Sequence, residues 1–496
     1  MHSPLLLSPS SMPSVDPAPV KLDYDHFLSA EAKGRVRSQL RALGPYQAIP
    51  GMISFGGGMP HPSTWPVNAI TLSVPFAKKS VFVPGYQGED PSKLYPLAPF
   101  TPTTKLSLQS DPLDPNLTRD LQYSSTFGLP YFVDWITEHV KRIHNPPYPE
   151  ADWQVHCTAG NTDGFDGVAR TLLNRGEYVL VEEFAFPATI NHYTSLGGRN
   201  IGVPLDGEGL DAEALNKILS EWNEEERGGA RPKTLLVVPT CSNPTGVTYT
   251  VPRKKEIYAI ARKWNLLIIE DDPYCYLQSR PDGYDTPLVP SFLSLDVDGR
   301  VVRIDSFSKF IAPGSRAGWI TGPKDIVTAI MRKGECSANG PSGFAIASIA
   351  GIIQAWGSHE GLEKEYLPHI STVYNSRASD MVRHIRKYVS PETLETPEPT
   401  GGMFLWVRLR LENHPLLGKI DPEEISARTF KRLIEEKVLT VPSHNFKAGG
   451  GIELSKEEEA KRIFLRLSFA TADPEQMEEG VKRLAKGLRE EWELKE

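Results

Sequence analysis

From about residue 150 the chain is punctuated by short apolar runs set between polar stretches of helical period. YVLVEEF (178–184), NIGVPLD (200–206), KTLLVVPT (233–240), NLLIIEDD (265–272) and VVRIDSFS (301–308) are rich in β-branched residues. They lack the strict alternation of a half-exposed strand, which predicts strands buried on both faces. DAEALNKILSEW (211–222) and PRKKEIYAIARKW (252–264) carry helical spacing, the second with Pro252 suited to a first helical turn. Strands alternating with helices in this way predict a mainly parallel sheet covered by helices on both sides.

The C-terminal third changes character. EGLEKEYLPHISTVYNSRASDMVRHIRKYV (360–389) predicts a long helix interrupted near Pro368. GGMFLWVRLRL (401–411), FLRLSFA (464–470) and a closing helix over 474–492 predict a second, smaller α/β domain. Met477, Val481, Leu484 and Leu488 recur at helical spacing, and Asp473-Pro474 is a start signal. The first 50 residues are expected to form a flexible Pro/Ser-rich arm, 51–365 a large domain and 366–496 a small one. FGGGMPHPSTWP (55–66) is a turn region, and 87–117, rich in Pro, Ser and Asp, predicts a surface insertion. There is no internal repeat.

Charge and cysteine content narrow the function. A net charge of -8 leaves no basic surplus to attract nucleic acid or an anionic membrane surface. No apolar run is long enough to span a bilayer. Cys157, Cys241, Cys275 and Cys336 are widely spaced without CxxC, which suits a reducing compartment better than disulfides or a metal site. The N-terminus lacks the basic, Arg-rich character of targeting peptides, so cytoplasmic residence is the expectation.

The chemistry gathers at strand ends, where open α/β sheets bind ligands. Asn243 follows 233–240, Asp271, Asp272 and Tyr274 follow 265–270, and Ser306, Ser308 and Lys309 follow 301–305. CTAGNTDG (157–164) predicts a tight turn opening a helix whose free N–H groups suit an anion. Singly, these are an ordinary turn, a solvated aspartate and a surface lysine. Together they match the needs of pyridoxal phosphate: an amine to bond its aldehyde, a carboxylate for its ring nitrogen, hydroxyl and amide donors for its ring oxygen, and a cationic cradle for its phosphate.

In that order, NPTG, DDPY and SFSK with an arginine seven residues on resemble the fold-type I aminotransferases. More narrowly the chain is similar to the kynurenine/2-aminoadipate aminotransferases and the fungal aromatic-amino-acid aminotransferases. The resemblance implies a large domain with a mainly parallel seven-stranded sheet, a smaller C-terminal α/β domain, and pyridoxal 5'-phosphate as cofactor. It implies that Lys309 bonds the cofactor and shuttles the substrate proton, that Asp271 pairs with the ring nitrogen, and that Asp272 points elsewhere. Tyr274 and Asn243 correspond to donors for the ring oxygen. Ser306, Ser308 and Arg316, with Gly160, Asn161 and Thr162, correspond to the phosphate cradle. Phe186 stands where relatives stack an aromatic ring on the cofactor, with core packing as the competing reading. Arg466, a charge in an apolar strand, corresponds to the substrate-carboxylate anchor. Gly58 corresponds to a backbone substrate contact, and Tyr123 to a tyrosine reaching the neighbouring subunit's cofactor, which implies a homodimer with shared sites.

The expected reaction is transfer of an amino group from an aromatic amino acid, with 2-aminoadipate and kynurenine as further donors, to 2-oxoglutarate in ping-pong order. No metal is expected. A carbon–sulfur β-lyase on the same fold is the alternative. A transcriptional regulator is disfavoured, because the N-terminal arm is too short for a DNA-binding module.

Overall fold

The computed structural model describes residues 18–36, 49–51, 117–280, 286–451 and 455–495, with a few positions between 60 and 74. Gly58 and nearly all of the 87–117 stretch lie outside the described residues.

The strands are β1 (Trp153–Thr158), β2 (Tyr178–Glu182), β3 (Arg199–Val203), the short β4 (Leu205–Asp206) and β5 (Gly209–Leu210), β6 (Thr234–Val237), β7 (Leu267–Asp271), β8 (Val301–Ser306) and β9 (Gly318–Pro323). Then follow β10 (Leu394–Glu395), β11 (Phe404–Leu409), β12 (Val441–Pro442) and β13 (Phe464–Ser468). Seven strands make the central sheet in the order β1-β9-β8-β7-β6-β2-β3. Only β9 runs against its neighbours, pairing antiparallel with β1 and β8. The expected mainly parallel seven-stranded sheet is therefore present.

The five apolar runs form β2, β3 with β4, β6, β7 and β8. Leu267, Ile268 and Ile269 are fully shielded from solvent, as are Val301, Val302 and Ile304. Removing each such side chain from water contributes about 1.5–3 kcal/mol, which selects the registers that bury both faces. One face packs on the Pro130–Ile143, Ala212–Ser220, Val251–Lys263 and Gly343–Ala355 helices. The other packs on Asn161–Leu172 and Lys324–Glu335.

A separate core lies between β10-β11-β13-β12, the Leu367–Tyr388 helix and the Pro474–Glu491 helix. This small sheet is wholly antiparallel. Met477, Val481, Leu484 and Leu488 all point into its core, and the Asp473 N–H donates to the Gln476 side-chain oxygen at 3.2 Å. The predicted interruption near Pro368 is a five-residue π-helical turn, Leu362–Tyr366, after which Pro368 sits in the first turn of the resumed α-helix.

β7 and β8 also bury charge. Arg303 is fully enclosed and meets Asp305 at 2.8 Å, Asp272 at 3.0 Å and Glu270 at 3.2 Å. An unpaired buried guanidinium would be prohibitively costly, so three carboxylates surround it. Side chains alternate along a strand, so drawing Glu270 and Asp272 to this cluster turns Asp271 the opposite way.

Candidate active site

β1, β6, β7 and β8 run the same way, so their carboxyl ends share one edge of the sheet. Just past that edge lies a cavity of about 420 Å³. Asn161, Thr162, Phe186, Asn243, Asp271, Tyr274, Ser306, Ser308, Lys309, Arg316 and Arg466 all line it. Residues separated by more than 300 positions in sequence thus converge on one space. Gly160 borders it through Arg316, whereas Tyr123 does not line it and is 71% exposed.

Asp271 is half-buried on the cavity wall, and its Oδ1 accepts from Asn161 Nδ2 at 2.6 Å. Burial raises its carboxyl to about 7, against the lowering effect of that hydrogen bond. Asp272 faces away, accepting from Thr240 Oγ1 at 2.9 Å and pairing with Arg303. Lys309 sits on a one-turn helix after β8, with Nζ 5.7 Å from the Tyr274 ring centre. Burial, and then the neighbouring Arg316 charge, lower the Lys309 amine below its ordinary value. Burial raises the Tyr274 phenol, so it remains a hydrogen-bond donor.

The anion cradle has three parts. Arg316, in left-handed backbone with φ 48°, donates Nη1 to the Pro313 carbonyl at 2.9 Å and to Ser308 Oγ at 3.3 Å. The Ser306 hydroxyl donates to Ser308 Oγ at 2.7 Å and accepts from the Ser308 N–H at 3.0 Å. The Asn161–Leu172 helix begins at Gly160 with no side-chain cap, leaving the first amides as free donors. Gly160 has φ 88°, and a Cβ there would stand 2.4 Å from Arg316 Nη2, so only glycine lets the guanidinium lie against the turn.

Arg466 on β13 donates Nη1 to Asn243 Oδ1 at 2.7 Å. Its guanidinium lies 4.5 Å from the Phe404 ring centre and 4.9 Å from that of Phe446. Among the described residues no carboxylate pairs with it, and its buried Nε has no partner. A structural counter-ion, one of the two readings open for Arg466, is thus not found. Phe186 is 42% exposed on the cavity wall, which excludes core packing as its role.

The donor set fits pyridoxal phosphate. A half-buried carboxylate with no salt-bridge partner among the described residues, an arginine–hydroxyl–amide cradle and a depressed lysine amine surround one cavity, matching ring nitrogen, phosphate and aldehyde in turn.

Sequence reasoning missed several lining residues. Thr189 and His192 come from the Pro187–Ser195 helix, where their three-residue spacing places them on one face. Phe404 comes from β11, and its contact with Arg466 depends on strand pairing rather than spacing. Asn161, expected at the phosphate turn, opens the helix there, and its side chain donates to Asp271.

Comparison with known proteins bears on this geometry. Residues 118–484 match the family described as aminotransferase class I and II. The chain is 33% identical to an aromatic amino acid aminotransferase of Schizosaccharomyces pombe, over 95% of this chain and 97% of that one. A crystal structure of an aminotransferase from Candida albicans superposes with a TM-score of 0.84 and 32% identity, covering 96% of this chain and all of the other. An α-aminoadipate aminotransferase from Thermus thermophilus, solved with N-(5'-phosphopyridoxyl)-L-leucine, has 26% identity and a TM-score of 0.62, covering 76% and 85%.

Proposed function

The chain belongs to the class I and II aminotransferases, which use pyridoxal phosphate, and on that premise we propose that it moves the amino group of aromatic amino acids to 2-oxoglutarate. Kynurenine and 2-aminoadipate are further donors in this reading. The observation that carries it is Arg466, a guanidinium without a carboxylate partner among the described residues, in the same cavity as Lys309 and Asp271. Free α-carboxylates of amino and oxo acids are the ligands such a group lacks. Phe186 and Phe404 give the same cavity aromatic walls, which suits an aromatic side chain.

Pyridoxal phosphate, when bound, supplies an aldehyde that takes up the amino group and a ring that accepts the electron pair released at the substrate carbon. Asp271, ionised, is the group to keep the cofactor's ring nitrogen protonated, with Asn161 fixing its carboxylate. Asn243 and Tyr274 offer donors to the ring oxygen. Arg316, Ser306, Ser308 and the amides of Asn161 and Thr162 are the groups to hold the phosphate. The lowered Lys309 amine gives up its proton near neutral pH more readily than a solvated lysine, so Nζ can take a proton from the substrate carbon and return it.

The same reading includes a homodimer in which Tyr123 serves the partner's site. It also includes the division into arm, large domain and small domain, which the separate cores support. Cytoplasmic residence belongs to it as well, since all four cysteines are unpaired. Among the described residues no helix is long and apolar enough to cross a membrane.

A panel of amino donors assayed against 2-oxoglutarate, with glutamate and the matching oxo acid identified by mass spectrometry, tests the proposal. Fastest turnover is expected with phenylalanine, tyrosine or tryptophan. Failure to form glutamate from any aromatic donor would remove the specificity claim.

A further inference from the structure

On the large domain, away from the cavity lining, His139, His359 and Glu363 bring their ligating atoms within 4.8 Å of one another. His139 lies on the Pro130–Ile143 helix, and the other two flank the α-to-π transition at 358–366. Glu363 Oε1 is 3.8 Å from His139 Nδ1 and 3.7 Å from His359 Nδ1. Both Nδ1 atoms are buried without a hydrogen-bond partner. Buried polar atoms in folded proteins almost always have partners, so two orphans facing one carboxylate need an explanation.

The ring geometry supplies one. Trp135 stacks on His139 at 5.2 Å and on His359 at 4.6 Å, with interplanar angles of 10° and 2°. The two imidazoles are 5.8 Å apart and 9° from parallel. Rings on opposite faces of the indole would be separated by about 7 Å along the normal, twice the contact distance of stacked atoms. The imidazoles therefore lie side by side on one face of Trp135, nearly parallel, with their Nδ1 atoms toward Glu363. A metal ion binds imidazole nitrogen in the ring plane at about 2.0–2.1 Å, and this arrangement provides two such approaches and an oxygen ligand.

Outer contacts hold the ligands in a usable state. His139 Nε2 is 2.7 Å from the Tyr276 hydroxyl, which suits an Nε2–H donor and leaves Nδ1 as the lone-pair atom. Arg142 donates Nε to Glu363 Oε1 at 2.8 Å and Nη2 to Oε2 at 2.7 Å. A carboxylate has about four lone-pair sites, so two remain on the side facing the histidines. His359 and Glu363 keep 14% and 16% side-chain exposure, enough for an ion to enter and for a water to complete the set.

The backbone is shaped to present these ligands. Gly357 and Ser358 have φ 90° and 59°, and Trp135 Nε1 donates to Ser358 Oγ at 3.1 Å. A Cβ on Gly361 would lie 1.5 Å from the Trp356 carbonyl oxygen. Left-handed serine backbone and a π-helical turn are costly features that concentrate at functional sites.

We propose that His139, His359 and Glu363 form a binding site for one divalent transition-metal ion of zinc type, bracing the Pro130–Ile143 helix against the 358–366 turn. Full-length protein with its cofactor bound is stripped with EDTA, titrated with zinc, and analysed by calorimetry and elemental mass spectrometry. Cobalt substitution reports the ligand type by visible absorption. One ion per chain with micromolar or tighter affinity, a rise in melting temperature and a cobalt spectrum without thiolate charge transfer are expected. His359→Gln and Glu363→Gln are each expected to lose the ion and the rise. Both sit at the surface end of the site, and circular dichroism confirms that they fold. Absence of binding, equal binding by both variants, or a thiolate signature from the exposed Cys336 would each overturn the assignment.

Discussion

Asp271 carries the largest conflict between stability and function in the site. Burial raises its carboxyl from an ordinary 3.8 to about 7. A folded value above the unfolded one means its contribution is fully present below pH 3.8 and lost as pH rises through 7. The shift amounts to at most about 4 kcal/mol. In the cofactor-free protein, Asp271→Asn is therefore expected to raise the melting temperature at pH 8, with the gain fading by pH 4–5. Buried Asp296 and Asp305 also have raised values, but they are common to both proteins and cancel in the comparison, whereas Glu182, which the Asp271 charge helps to raise, adds to the gain in the same direction. Differential scanning fluorimetry at the two pH values reads the effect, and equal melting temperatures at pH 8 would show that Asp271 is solvated. Arg466 offers the complementary case of a cation awaiting an anion. A hydrogen bond to a charged group is worth about 1.5–3 kcal/mol, so Arg466→Ala is expected to raise KM for every amino and oxo acid about 10–100-fold. Steady-state kinetics across donors of different side chains tests this, because a defect limited to one donor would place Arg466 in the side-chain pocket instead.

The helix that starts at Asn161 shows what was legible from sequence and what was not. CTAGNTDG announced a turn and a helix start, and the structure has both, with β1 ending at Thr158 and the helix beginning at Asn161. The strand itself escaped notice, as did β9. GWITGP carries two glycines and a proline in six residues, and its strand character comes from pairing with β1 and β8 on either side. Strands such as β7 were legible because burial on both faces leaves an unbroken apolar run. The role of Asn161 was not, since its 2.6 Å contact with Asp271 spans 110 residues and exists only once the sheet is assembled. Lys309, Asp271 and Arg316 could be singled out because residue types at strand ends resist bland explanations in combination, and all three line the one cavity. At the helix start, Gly160 is the residue that the geometry leaves no freedom. Gly160→Ala forces a side chain into Arg316 in a backbone conformation that disfavours one. Cofactor affinity is expected to fall at least about tenfold, roughly one lost charge-assisted contact, while kcat at saturating cofactor changes little. Fluorescence titration with pyridoxal phosphate measures the first and initial rates the second; an unchanged affinity would mean that the turn does not hold the phosphate.

Tyr123 bears on whether one chain makes a complete site. Tyr123 is 71% exposed and lies outside its own chain's cavity, three residues past the Leu117–Asp120 helix. That helix packs against the Gly343–Ala355 helix, whose Phe344 is 47% exposed. Two large apolar side chains left in water on adjoining elements suit a surface that a second copy covers. If Tyr123 completes the partner's site, Tyr123→Ala weakens cofactor binding without touching the chain it belongs to. Lys309→Ala alone has no turnover at any cofactor concentration. Mixing the two variants under conditions that exchange subunits separates the possibilities. In a mixed dimer, the site in the Tyr123→Ala chain keeps its own Lys309 and receives an intact Tyr123 from the Lys309→Ala chain. Activity at limiting cofactor is then expected to exceed that of the two variants assayed apart, and to rise as exchange proceeds. A tyrosine acting only within its own chain predicts no gain, because no chain in the mixture carries both residues.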